Sequence, residues 1–169
     1  MSAPAGSSEA PRPWAGRTSA RRRTAPAASP RTGGKPPAGR IECFLLKDEQ
    51  KKQVSVYHKP VPGGKTAVTL YRTLESRGGL SLVECRLLTG RTHQIRVSMA
   101  EIGCPLLGDG KYGKGDVNRR YHETRQALYS YKLRFDFPTD AGLLNYLKGQ
   151  EFTVENVPFR EKYFPEILS

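Results

Sequence analysis

The composition of the chain changes sharply near residue 40, and this change limits where a folded core can form. Residues 1–40 hold seven of the 13 prolines and +7 of the formal net charge of +12, while Met1 and Trp14 are their only large apolar residues. A segment that buries so little apolar surface cannot offset the loss of backbone entropy, about 1–2 kcal/mol per residue. We therefore predict that residues 1–40 are a disordered Arg/Ala/Pro-rich segment and that residues 41–169 form the folded part.

Alternation of apolar and polar residues predicts several short strands in that folded part. The clearest pair is a hairpin, in which residues 66–75 and 80–88 flank a turn containing Gly78 and Gly79. Further strands are predicted over residues 41–46, 53–58, 127–135 and 151–155, with a loop over 108–115. The expected fold class is α+β, a mainly antiparallel mixed sheet with flanking helices.

One segment between the strands changes to a helical period. Ile95, Met99 and Ile102 recur at i, i+4 and i+7, with Thr92 as a possible N-cap and Gly103 as a stop. This spacing predicts a helix of about three turns over residues 92–102.

The start of this helix is the most basic and polar group in the folded part, with the sequence GRTHQIR over residues 90–96. Backbone N–H groups at a helix start carry partial positive charge, so this end, with Arg91 and His93, could hold a phosphate. Arg96 lies on the same predicted helix face as His93. A solvated basic helix end is the alternative, and composition alone favours it.

Other polar residues give weaker signals. His58 and His122 lie at a strand end and in a loop, where a lone histidine is usually solvated. Asp109 stands between two glycines, and a side chain that bonds its own backbone turn is the usual explanation.

The cysteines and the hydropathy pattern exclude several classes of protein. Cys43, Cys85 and Cys104 have no metal-ligand spacing, and an odd number of cysteines without a signal peptide suits the reducing cytoplasm. No apolar run reaches the roughly 18 residues of a transmembrane helix, so we expect no membrane association. No phosphate-binding loop or dinucleotide motif occurs, and we expect no metal and no cofactor.

Residues 80–113, with the sequence LSLVECRLLTGRTHQIRVSMAEIGCPLLGDGKYG, closely resemble the C-terminal signature of the RluA-type pseudouridine synthases, which act on ribosomal RNA. The resemblance extends over nearly all of residues 41–169 and over none of residues 1–40. It implies the C-terminal part of the pseudouridine synthase catalytic fold and large-subunit ribosomal RNA as partner. Enzymes of this family break the N-glycosidic bond of a uridine and rejoin the ribose to C5 of the base, without metal or cofactor.

The resemblance also implies roles for particular residues. Arg96 matches the basic residue that pairs with the family's essential aspartate, and it is the catalytic candidate. Four neighbours match the rest of the motif and would face the RNA, namely Arg91, Thr92, His93 and Gln94. The family's aspartate belongs to an upstream His-Arg-Leu-Asp type motif that this sequence lacks, so no catalytic nucleophile is assigned and Arg96 is expected to lack its carboxylate.

These observations leave three interpretations of function. The first is a truncated RNA pseudouridine synthase, weakly active or inactive alone, with residues 1–40 an unrelated fused segment. It would expose a strand edge and the apolar surface that the absent half would cover. The second is a noncatalytic basic RNA-binding module. The third is an unstable fragment without function.

Overall fold

Seven antiparallel strands form one sheet in the computed structural model, which describes residues 21–28 and 38–165. Their spatial order is β3-β2-β4-β5-β1-β6-β7, and every pair of neighbours is antiparallel. The α+β class expected from the sequence is confirmed. The strands are β1 (Arg21–Ala28), β2 (Gly39–Asp48), β3 (Gln53–Tyr57), β4 (Lys65–Arg77), β5 (Leu80–Leu87), β6 (Tyr129–Arg134) and β7 (Glu151–Thr153).

The predicted hairpin is formed by β4 and β5. Its turn requires positive φ at two successive residues, and Gly78 and Gly79 supply it with φ of 56° and 80°. Arg77 pairs with Leu80 next to the turn, and a register shift between Thr73 and Glu75 marks a bulge further along β4. The long hairpin sets the position of the loop that leaves β5 and leads into the first helix.

Helix α1 (Gln94–Glu101) packs its apolar side on the sheet. Ile95 and Met99 are buried against Val83 and Cys85 of β5, and each such side chain contributes about 1.5–3 kcal/mol when it is removed from water. The helix ends one residue before Ile102, which is 37% exposed. The predicted apolar stripe is therefore correct for its first two members and wrong for the third.

Three short helical segments were not predicted. They are α2 (Gly115–Arg120), a 3₁₀ helix over Gly142–Leu147 and α3 (Pro158–Tyr163). Phe164 follows α3 and is fully buried in a second apolar cluster that includes Leu82 and Leu107. Phe164 thus packs the segment that follows α3 against β5.

Strand β1 corrects the prediction of disorder for residues 21–28. It lies between β5 and β6 and pairs with both, so its peptide groups have hydrogen-bonding partners on two sides. Backbone pairing of this kind does not require the apolar residues whose absence led to the prediction. For residues 1–20 and 29–37, the prediction lies outside the described residues.

Strands β3 and β7 form the edges of the described sheet. Near β7, several large apolar side chains face solvent: Leu143 is 95%, Tyr146 70% and Phe152 51% exposed. In the described part of the chain, no helix combines the length and the apolar character that crossing a membrane requires.

Candidate RNA-binding site

The turn from β5 into α1 places His93, rather than Thr92, at the N-cap of the helix. His93 has φ 54° and ψ 14°, a left-handed conformation that histidine tolerates better than most residues. Its carbonyl accepts the first helical bond, from Val97 N, at 3.0 Å. The predicted capping role of Thr92 is wrong, because no side-chain oxygen caps this helix.

Gln94 lies inside the protein, with 2% of its surface exposed. Its Nε2 donates to the carbonyl oxygen of Val68 and to Thr69 Oγ1, both at 3.0 Å. Its Oε1 accepts from Thr89 Oγ1 at 2.9 Å and from Arg91 N at 3.0 Å. Gln94 therefore ties the start of α1 to β4, and its predicted contact with RNA stays a prediction.

Arg96 has a carboxylate partner within the chain, contrary to the prediction. Its Nε donates to Asp109 Oδ2 and its Nη2 to Asp109 Oδ1, each at 2.8 Å. The Arg96 side chain is 12% exposed and that of Asp109 is fully buried. This bidentate geometry is the strong form of an Arg–carboxylate pair.

Asp109 also bonds its own turn, as its position between glycines predicts. Its Oδ1 accepts from Lys111 N at 2.9 Å and from Tyr112 N at 3.0 Å. Burial by itself would raise the pKa of the Asp109 carboxyl, but the bonds from Arg96 and from these two N–H groups outweigh it and hold that pKa below its usual value. The Asp109 hydrogen bond in turn raises the pKa of Arg96. Asp109 is therefore an ionised structural anchor for Arg96.

Tyr112 joins the same network to the helix start. Its hydroxyl accepts from Val54 N and bonds His93 Nδ1, both at 2.9 Å. The Arg96 guanidinium lies 5.1 Å from the centre of the Tyr112 ring, within the range of a cation–π contact. Burial, and then the charge of Arg96, lower the pKa of His93. The neutral imidazole is therefore favoured next to the arginine at neutral pH.

A central cleft of about 750 Å³ opens in front of this network. Arg91 and Thr92 are exposed there and His93 is half-buried, so the structure brings these three predicted residues together on one wall with Arg96. None of the described residues that line the central cleft is a carboxylate. The lining consists of residues 87–96 with Gln126 and Leu128.

The described part of the chain contains no group of side chains suited to bind a metal ion. Among residues 21–28 and 38–165, no three His, Cys, Asp or Glu side chains are grouped as metal ligands would be. Sequence reasoning missed the roles of Asp109 and Tyr112 at this site. The sequence GDGKYG signals a tight loop, but nothing local indicates that the loop returns to α1.

Comparison with known proteins identifies the family. A family model described as RNA pseudouridylate synthase matches residues 21–101, which include the hairpin, the GRTHQIR turn and α1. Together with the relatives of this type, the match confirms the resemblance to the RluA-type pseudouridine synthases that the sequence predicts. Because the match begins at residue 21, the family likeness includes β1, and the expectation that residues 1–40 lie wholly outside it is wrong.

Relatives and solved structures of this family agree with that match. An RNA pseudouridine synthase of Bacillus subtilis is 42% identical over 100 residues, covering 59% of this chain and 31% of the relative. The ribosomal large subunit pseudouridine synthase D of Neisseria meningitidis is 42% identical over 108 residues, covering 59% and 28%. The chain thus spans about a third of the length of these relatives.

The fold is also that of solved human proteins. Human RNA Pseudouridylate Synthase Domain Containing 1 superimposes with a TM-score of 0.61 at 23% identity, covering 85% of this chain and 56% of that one. Human RNA Pseudouridylate Synthase Domain Containing 4 superimposes with a TM-score of 0.59 at 19% identity, covering 83% of this chain and 59% of that one. The expected pseudouridine synthase fold is confirmed.

Proposed function

We propose that this chain is part of an RNA pseudouridine synthase and that its central cleft binds ribosomal RNA of the large subunit. The observation that carries the proposal is the arrangement of the GRTHQIR residues on one cleft wall, with Arg91 and His93 at the opening. Family membership and the name of the Neisseria relative support the choice of RNA. We further propose that the chain acts in the cytoplasm, where its buried free cysteines would stay reduced.

The chemistry of the family requires an aspartate at the uridine, and the described lining of the cleft offers none. Asp109 is not a substitute, because it is fully buried and both of its oxygens are bonded to Arg96. We therefore expect the chain alone to show little or no turnover. Its part in the reaction would be to hold the RNA and to present Arg96, already oriented by Asp109, at the wall of the site.

Catalysis is tested by incubating the purified chain with unmodified ribosomal RNA. Pseudouridines are then mapped by carbodiimide-dependent primer extension. We expect no stops above those of an untreated control. Clear stops would show that the chain carries its own nucleophile and would contradict this part of the proposal.

A noncatalytic RNA-binding module is the second candidate, and it is favoured because no carboxylate occurs among the described residues that line the central cleft. Both candidates require RNA binding, which fluorescence anisotropy with a single-stranded RNA measures. Arg91→Ala should weaken binding and reduce the steepness of its dependence on log salt by about 0.7, the value for one phosphate contact on a single strand. Arg134→Ala is the matched control, because Arg134 is exposed on β6 and does not line the cleft.

Arg96→Ala is a poor test of RNA binding, because it leaves the buried Asp109 without its partner. An unstable fragment, the third interpretation, is tested separately by circular dichroism. A cooperative thermal transition would exclude it.

The RNA-binding test with Arg91→Ala can also contradict the proposal. Equal RNA affinity in Arg91→Ala and in the unchanged chain would argue against the central cleft as the RNA site.

A further inference from the structure

A second depression lies beside the central cleft, and we propose that it binds the phosphate backbone of the RNA strand that leaves the cleft. This side groove has a volume of about 290 Å³. The proposal rests on the function proposed above and adds a second contact surface to it. Its lining includes Leu45, Lys47, Glu49, Val54, Lys65 and Arg91.

The side groove and the central cleft share one wall. Gly90, Arg91 and Thr92 line both of them. A single strand seated in the central cleft therefore meets the side groove directly across these three residues. This continuity argues for the same ligand in both, because a strand longer than the cleft must pass along one of its walls.

The charges of the side groove suit a phosphate chain. Lys47, Lys65 and Arg91 face one acid, Glu49. Arg91 Nε donates to the carbonyl oxygen of Thr66 at 3.0 Å, which draws the guanidinium toward the start of β4, where Lys65 lies. A positively charged groove is the feature with which single-strand binding proteins follow the phosphate backbone.

An ion pair between Lys47 and Glu49 lies in the lining of the groove, and it leaves room for RNA to bind. Lys47 Nζ lies 2.6 Å from Glu49 Oε2, and the two side chains are 42% and 76% exposed. Exposed pairs of this kind are worth about 0–1 kcal/mol. A phosphate can therefore replace Glu49 as the partner of Lys47 at little cost.

The apolar residues of the groove lie on paired strands of the sheet. Leu45 and Val54 are buried, and they belong to β2 and β3, which pair over five residues from Phe44 to Asp48. Lys65 is paired with Leu45 in the register of β4 and β2. The backbone positions of the two lysines are thus fixed by strands β2 and β4, and contacts to phosphates position a strand on a protein.

The test compares the full chain with three variants, using anisotropy of a labelled single-stranded RNA of about 12 nucleotides in increasing KCl. The double variant Lys47→Gln/Lys65→Gln should reduce the salt slope by about 1.4, so that raising KCl from about 50 to about 200 mM costs it roughly sevenfold less affinity than it costs the unchanged chain. Lys114→Gln/Lys148→Gln removes the same charge from two exposed lysines outside both depressions and should leave the slope unchanged.

The third variant, Glu49→Gln, should change the RNA affinity in the opposite direction. It removes the acid from the groove and releases Lys47, so RNA binding should become tighter, which damage to the fold would not produce. Circular dichroism of each variant confirms folding.

The outcomes separate the two proposals. No RNA binding by the unchanged chain would contradict the proposed function. Binding with equal salt slopes in the two double variants would overturn only the proposal that the side groove binds RNA. An acidic peptide of the same charge that competes as well as unlabelled RNA would also overturn it, in favour of an acidic protein partner.

Discussion

The buried Arg96–Asp109 pair allows a quantitative prediction, made with the substitution Asp109→Ala. The change removes both oxygens that hold the guanidinium and leaves a cation with 12% of its side chain exposed. Removing one partner of a buried pair costs about 3–5 kcal/mol, and the remaining exposure of Arg96 favours the lower end. A loss of about 3 kcal/mol corresponds to a fall of roughly 12 °C in Tm for a domain of this size.

The assay is urea unfolding followed by circular dichroism, with Asp116→Ala as the control. Asp116 is exposed in the first turn of α2, where loss of its charge should cost about 0.3–1 kcal/mol. The loss of unfolding free energy in Asp109→Asn should lie between those of Asp109→Ala and Asp116→Ala, because the amide oxygen can still accept from the N–H groups of Lys111 and Tyr112. A midpoint for Asp109→Ala within error of the Asp116→Ala value would refute the reasoning.

The same pair predicts how stability depends on pH. The pKa of Asp109 is lowered in the folded chain, while in the unfolded chain an aspartate titrates near its ordinary value of about 3.9. The unfolded state therefore takes up the proton first as the pH falls. The stabilisation should be complete at neutral pH, decline below about pH 4 and vanish below the folded pKa, and Asp109→Asn should lack this part of the decline.

Two further predictions concern the residues that hold the start of α1. Gln94→Leu should destabilise the chain by about 2–4 kcal/mol, because it removes four hydrogen bonds of a buried amide, to Val68 O, Thr69 Oγ1, Thr89 Oγ1 and Arg91 N. Gln126→Leu, on an exposed residue of the same cleft, should cost less than about 0.5 kcal/mol in the same urea titration. Tyr112→Phe should cost about 1–3 kcal/mol, because the Val54 N–H loses its acceptor and His93 Nδ1 loses its hydrogen bond to the Tyr112 hydroxyl. Unchanged amide hydrogen exchange at Val54 in Tyr112→Phe would contradict the second prediction.

The strands and the hairpin were predictable because their signals are local. Alternating residues and the pair Gly78-Gly79 specify a strand, a turn and a strand without reference to the rest of the chain. Strand β1 was not predictable, because its place depends on the backbone edges that β5 and β6 offer it. Helices α2 and α3 have six residues each, too few for a helical period to be visible.

The candidate site was predictable in location and wrong in part of its detail. The change from strand to helix and the basic sequence located the cleft wall at Arg91 to Arg96. The bonds of Gln94 to β4 were not predictable, because membership of a motif does not tell which side of a short helix faces the core. The partner of Arg96 was missed because Asp109 is 13 residues away, and the intervening segment must fold back before the two can meet.

The interior position of β1 in the sheet affects how the chain would unfold. Strand β5 pairs with β1 and not with β6, so the four strands β3, β2, β4 and β5 are joined to β6 and β7 through β1 alone among the described pairs. Detachment of that single strand would divide the sheet into a four-stranded and a two-stranded unit, and a two-stranded ribbon is marginal in water. Backbone amides of β6 and β7 should therefore exchange with solvent through a partial opening, at a lower free energy than those of β4.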